Sequence, residues 1–167
     1  MGLIDVFSKK TDVQYFTEGN NFFKLGKYVE AVASYDKAIA IKPDYTNAWT
    51  MRGWALSNLG HPEEAIASYD KAIAIDPNNI GSWYTRGWEL YNLGHPEEAI
   101  ASYDKAIAIK PDYADAWYTR GLALGELGKY AEAVASYDKS IAIKPDYTEA
   151  KQSRQDALRQ RDKNPGK

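Results

Sequence analysis

Apolar positions recur along this chain with a helical period, in stretches of about a dozen residues separated by short polar breaks. Within residues 46–79, Trp49, Leu56 and Leu59 mark one such stretch, and Ala65, Ile66, Tyr69, Ala72 and Ile73 mark the next. A dozen residues make about three helical turns, so the pattern predicts a pair of helices here. The break between them reads Gly60-His61-Pro62-Glu63-Glu64. Glycine suits the left-handed residue after a helix and proline the first residue of the next, while the glutamates complement its positive N-terminal end.

The same pattern returns every 34 residues: Trp49, Trp83 and Trp117 keep that spacing, as do Pro43, Pro77, Pro111 and Pro145. A fixed period of this length marks an array of supersecondary units, each too small to bury its apolar face alone. With each proline set at position 32, the units run 12–45, 46–79, 80–113 and 114–147, preceded by an N-terminal extension, 1–11. Each proline stops a second helix, and Asp44, Asn78, Asp112 and Asp146 beside them are expected to cap the first helix of the following unit. After Tyr147 the pattern restarts and then departs, with Lys151 in place of tryptophan and Gln155 in place of glycine. Ala150, Ala157 and Leu158 keep one narrow apolar stripe. This predicts a single capping helix over 148–162, ending near Arg161, and a frayed tail over 163–167.

Two further sets of residues share the period. Gly53, Gly87 and Gly121 fall inside first helices, opposite Ala65, Ala99 and Ala133 and beside Tyr69, Tyr103 and Tyr137. Glycine inside a helix costs about 1 kcal/mol relative to alanine, and its repetition predicts a contact too tight for a methyl group. Arg52, Arg86, Arg120 and Arg154 each follow an aspartate by 16 residues (Asp36, Asp70, Asp104, Asp138), whereas the first unit has Glu18 at the arginine position and no preceding aspartate. That pattern predicts a ladder of ion pairs between consecutive units, with arginine chosen for bidentate contact.

Charge and composition narrow the function. A net charge of −2 argues against nucleic acid, whose recognition needs clustered Lys and Arg. The basic stretch 151–163 is interleaved with Asp156 and Asp162 and reads as a solvated helix face. There is no cysteine, which excludes disulfides and thiolate metal sites. No apolar run is long enough for a membrane span or signal peptide, so a cytoplasmic protein is expected. His61 and His95 occupy equivalent turn positions before proline, and no phosphate loop, metalloprotease helix or nucleophile elbow occurs. No metal, cofactor or enzymatic activity is expected.

In the order Trp or Tyr, Gly, Tyr or Leu, Ala, Tyr, Ala, Pro, residues 12–147 resemble the tetratricopeptide repeat family. That resemblance implies an all-α, right-handed α-solenoid of four helix-turn-helix repeats plus the capping helix, with first helices lining a concave groove. It places ligand-facing residues at the second, fifth, ninth, twelfth and thirteenth positions of each repeat. These are Val13, Phe16, Asn20, Phe23 and Lys24; Asn47, Thr50, Trp54, Ser57 and Asn58; Gly81, Tyr84, Trp88, Tyr91 and Asn92; and Asp115, Tyr118, Leu122, Gly125 and Glu126. Some family members clamp the acidic C-termini of chaperones with Lys and Asn. Asn20 matches one clamp asparagine, but Phe16, Met51, Gly81 and Thr85 stand where the other polar groups belong.

The expected function is therefore a protein-interaction scaffold that holds a peptide or protein segment in an aromatic- and Asn-lined groove. Tyr84, Tyr91 and Tyr118 are expected on the groove surface, Trp54 and Trp88 in packing between neighbouring first helices. The alternative is a self-associating structural protein, with residues 2–7 as the exchanged segment.

Overall fold

The computed structural model describes residues 10–163, and among these there are nine α-helices and no strand. They are α1 (Asp12–Lys24), α2 (Tyr28–Ile41), α3 (Thr46–Asn58), α4 (Pro62–Ile75), α5 (Ile80–Asn92), α6 (Pro96–Ile109), α7 (Ala114–Glu126), α8 (Tyr130–Ile143) and α9 (Thr148–Lys163). The segment 2–7, offered above for exchange between copies, and the end of the tail, 164–167, lie outside the described residues. The chain divides into two compact units, residues 1–75 with α1 to α4 and residues 76–167 with α5 to α9.

Within each unit consecutive helices pack as hairpins, and each hairpin is held by the same contact. A Cβ built on Gly19, Gly87 or Gly121 would sit 2.5, 2.7 or 2.5 Å from Cε1 of Tyr35, Tyr103 or Tyr137, and one on Gly53 would meet Tyr69 closer still. The tyrosines are 0 to 3% exposed. The repeated glycine thus admits the flank of a buried ring, as its spacing predicted. Ala31, Ala65, Ala99 and Ala133, fully buried on the facing helices, keep the axes close.

The turn inside each hairpin follows from Gly60 and its equivalent Gly94. Their φ angles are +77° and +78°. His61 N–H donates to the Leu56 carbonyl at 3.0 Å and Gly60 N–H to that of Ser57 at 3.0 Å; His95 with Leu90, and Gly94 with Tyr91, repeat the arrangement. These are the two bonds that satisfy the last carbonyls of a helix ended by a left-handed residue. His61 and His95 immediately precede α4 and α6, with Nδ1 at 3.3 Å from Glu64 and 3.7 Å from Glu98.

Between repeats the caps differ from expectation. Asp44 and Asp112 do not cap; Tyr45 and Tyr113 stand at the N-cap positions of α3 and α7 and make no side-chain cap bond. The cap of α5 is Asn79, whose Oδ1 accepts from Ser82 N–H at 2.8 Å, rather than Asn78. The aspartates fall one residue early, inside the turn that the proline opens. What the tyrosines do instead is stack: Tyr45 lies 4.9 Å from Phe16, Tyr113 4.9 Å from Tyr84 and Tyr147 4.9 Å from Tyr118, ring centre to ring centre. The ring of the preceding second helix completes each group, Tyr35 on Phe16, Tyr103 on Tyr84 and Tyr137 on Tyr118.

The common period of tryptophan and proline also has a bond behind it. Trp49, Trp83 and Trp117 each donate Nε1–H to the carbonyl of Pro43, Pro77 and Pro111 at 2.9 Å. A tryptophan at the fourth position therefore closes the turn that precedes its own helix.

Arginine and aspartate meet between repeats inside each unit. Arg52 Nε donates to Asp36 at 2.7 Å, Arg120 Nε to Asp104 at 2.6 Å, and Arg154 Nε to Asp138. The contact is not bidentate. Nη1 of Arg52, Arg86 and Arg120 turns instead to Ser68, Ser102 and Ser136, at 2.7 Å each, and the three serines are buried. Each of these arginines thus satisfies a buried hydroxyl of its own hairpin. Arg52 and Arg120 also lie over Trp49 and Trp117 at 5.9 Å. The aspartates of the pairs are about half exposed (51–52%), so the charge pairs contribute on the order of 0–1 kcal/mol each. Orientation of the arginine is their main effect.

The last helix, α9, runs to Lys163, beyond the expected end near Arg161. Ala150 and Ala157 are its buried residues, and Leu158 packs against the cluster of Leu124, Ala133, Val134 and Tyr137. The rest of α9 is mostly polar, as a helix with one covered face requires.

Candidate peptide-binding surface

First helices lie next to one another in each unit, α1 beside α3 in the first and α5, α7 and α9 in sequence in the second. Ala48 and Ala55 on α3 and Ala116 and Ala123 on α7 are fully buried; Ala55 packs with Ala31 and Tyr35 of α2, and Ala116 with Ala106 and Ile107 of α6. Trp54 and Trp88 are 37% and 41% exposed, so each keeps more than a third of its surface outward, against the expectation that they pack between first helices. Trp88 is flanked on its own helix by Tyr91, ring centres 6.2 Å apart.

The fifth position behaves in the opposite way. Tyr84 and Tyr118, expected on the surface, are the middle rings of the stacks described above, and Phe16 has the same role in the first repeat. Burial first, then the neighbouring Tyr113 and the charge of Asp115, holds the Tyr84 hydroxyl above the ordinary phenol range. Thr50, the fifth residue of the second repeat, is buried and donates to the Thr46 carbonyl at 3.1 Å. At Phe16, Tyr84 and Tyr118 the fifth position is thus a packing position, because it meets the tyrosine that precedes the next first helix.

The polar and remaining apolar candidates divide between structure and surface. Asn20 Oδ1 accepts from the buried Tyr35 hydroxyl at 2.9 Å, which commits its oxygen to the core. Phe23 lies edge-on to Tyr28, 5.3 Å between centres. Asn58 is exposed and donates Nδ2–H to the Trp54 carbonyl at 2.8 Å, leaving its side-chain oxygen outward. Asn92 is exposed and Leu122 half-buried against the α7–α8–α9 cluster. Burial, and then the nearby Glu126 carboxylate, push the Tyr91 hydroxyl up to about 12.

In the second unit α7, α8 and α9 border an open hollow of about 320 Å³, lined among others by Leu122, Gly125, Glu126, Tyr130, Asp156 and Ala157. Among the described residues no three His, Cys, Asp or Glu side chains form a metal-binding group. No described helix is long and apolar enough to cross a membrane.

A stack of glycine-closed helix hairpins, with aromatic residues left outward on the first helices, defines an α-helical interaction-repeat protein. The chain belongs to the tetratricopeptide repeat family. Family models described as "Tetratricopeptide repeat" match residues 84–148 and 46–79, and one described as "TPR repeat" matches residues 19–60. Membership makes it a protein with an interaction role and not an enzyme.

Solved structures agree. The chain is similar to a MamA protein at 25% identity, over 89% of this chain and 97% of that one, with a TM-score of 0.75. It is similar to YrrB, titled a TPR protein with an unusual peptide-binding site, at 25% identity over 86% of this chain and 74% of that one, with a TM-score of 0.78. The first TPR domain of Spaghetti (RPAP3) bound to the HSP90 peptide SRMEEVD shares the fold at 24% identity, covering 71% and 94%, with a TM-score of 0.69. No curated protein sequence matches significantly.

Proposed function

We propose that the chain holds a peptide or protein segment along the outward row of first helices in each unit. Trp54, Trp88, Tyr91 and Leu122 supply apolar anchors, and Asn58 and Asn92 bond the guest's main chain. The observation that carries this reading is the placement of two tryptophans outward, more than a third exposed, in a protein whose hairpin tyrosines Tyr35, Tyr69, Tyr103 and Tyr137 are almost wholly covered. Tryptophan and tyrosine of this kind dominate binding energy where they occur at interfaces. Peptide binding named for YrrB and for the RPAP3 domain supports the same use of the fold.

An acidic chaperone tail fits poorly, because Phe16, Met51 and Gly81 stand where further polar groups would be needed and Thr85 donates its hydroxyl to the Gly81 carbonyl at 2.7 Å, which leaves Asn20 as the one matching group.

The test is the double change Trp88→Ala with Tyr91→Ala. Loss of two such anchors should weaken capture by at least about 100-fold, at about 2 kcal/mol or more for a central aromatic, with helical circular dichroism unchanged. Full capture by the double variant would place the binding surface elsewhere. Tyr84 is unsuitable for this purpose, since its removal would break a ring stack of the fold.

A further inference from the structure

The first and fourth repeats start their second helices with tyrosine, Tyr28 and Tyr130, where the middle repeats have Pro62 and Pro96. In the first repeat Phe23, at the twelfth position, lies edge-on to Tyr28. The fourth repeat has Gly125 at that place, and a Cβ built there would meet nothing within 4 Å. The hollow of about 320 Å³ is the space that a ring at 125 would share, and its size is at the lower end of the range of ligand pockets.

The lining decides what suits it. Its floor is apolar and aromatic, from Leu122, Tyr130, Tyr137 and Ala157, and its rim carries Glu126 and Asp156 with no lysine or arginine among the lining residues. Asp156 is reached by Arg159 at 3.1 Å and by Gln152 at 3.3 Å, but that arginine is 67% exposed, so little of the carboxylate's charge is offset. An acidic guest would face two carboxylates. A purely apolar one would leave both carboxylates without a partner from the guest. A planar cation satisfies both demands, with its face on a tyrosine ring and its N–H groups toward the rim.

We infer that the Gly125 hollow is a side-chain pocket for an arginine of the bound segment, at the α9 end of the first-helix row of the second unit. The inference takes its place in function from the proposed peptide-binding surface, yet a single amino-acid probe tests it without requiring that surface to capture a chain.

The experiment is a titration of the ¹⁵N-labelled full chain with Nα-acetyl-arginine methylamide, with the norleucine and glutamate analogues as comparators. The expected result is saturating amide shifts confined to the surroundings of Gly125, Glu126 and Ala157, weakened by salt, and absent with both comparators. Gly125→Phe, which fills the hollow as Phe23 does in the first repeat, should abolish the shifts. Glu126→Gln with Asp156→Asn should weaken binding about tenfold while leaving the hollow open, so the inference stays testable if the phenylalanine variant misfolds. Absence of shifts up to the solubility limit, equal shifts with norleucine, or unchanged affinity in the Gln/Asn variant would each overturn it. Arginine failure alongside a Trp88-dependent capture would leave the surface proposal standing and remove only the pocket.

Discussion

Gly121→Ala is expected to destabilise the protein, although alanine is favoured over glycine inside a helix by about 1 kcal/mol. The new methyl group would lie 2.5 Å from Cε1, 2.8 Å from Cδ1 and 2.9 Å from Cζ of Tyr137. Tyr137 is held on most sides: it is 3% exposed and sits against Tyr118 at 6.0 Å and the buried cluster of α7, α8 and α9. Overpacking of this kind costs about 1–3 kcal/mol and outweighs the propensity gain. Gly125→Ala, four residues on in the same helix, is the control, because its methyl group meets open space and the full propensity gain of up to about 1 kcal/mol should appear. Urea midpoints read both. A rise in midpoint for Gly121→Ala would show that the glycine is not held by its tyrosine.

Tyr103→Ala should lose about 3–5 kcal/mol, the scale for a large aromatic side chain removed from a core. The ring is fully buried and contacts both Gly87 and Tyr84. Its hydroxyl is a different matter. Thr119 is near enough to affect its titration, but no hydrogen bond of normal geometry reaches the buried oxygen. Tyr103→Phe should therefore be neutral or stabilising, since it removes an unsatisfied polar group. Tyr35→Phe should instead cost about 1 kcal/mol, because Asn20 loses its donor. Equal losses for the two phenylalanine variants would contradict the account of their hydroxyls.

The sequence was most informative where one physical demand recurs in every repeat. The glycine beside each tyrosine and the arginine sixteen residues after each aspartate were legible because a steric or electrostatic need, repeated at a fixed spacing, leaves a fixed residue. The turns were legible for the same reason, through Gly60 and Gly94. Demands met by the main chain left less trace. The serines that receive arginine, Ser68, Ser102 and Ser136, share the period but carry no charge to mark them, and the carbonyls of Pro43, Pro77 and Pro111 have no side-chain signature at all.

Errors at the surface came from judging residues by size. Trp54 and Trp88 suggest core packing by their size, yet both keep more than a third of their surface exposed. Tyr84 and Tyr118 suggest an open groove until Tyr113 and Tyr147, which look like turn residues after proline, are found stacked on them. The second repeat has Thr50 and Asn79 where the others pair rings, a covariation visible in the sequence to a reader who looks for it. Glu89, the one carboxylate buried among the described residues, stands where other repeats have Ala55 and Ala123, and nothing repeated announces it.

Amide hydrogen exchange on the protein with its captured partner, compared with the protein alone, bears most directly on the claim that first helices carry the guest. Added protection should fall on α5 and α7 around Trp88, Tyr91 and Asn92, with the exposed sides of α6 and α8 unchanged. Protection gained on α6 and α8, with α5 and α7 exchanging as before, would contradict it.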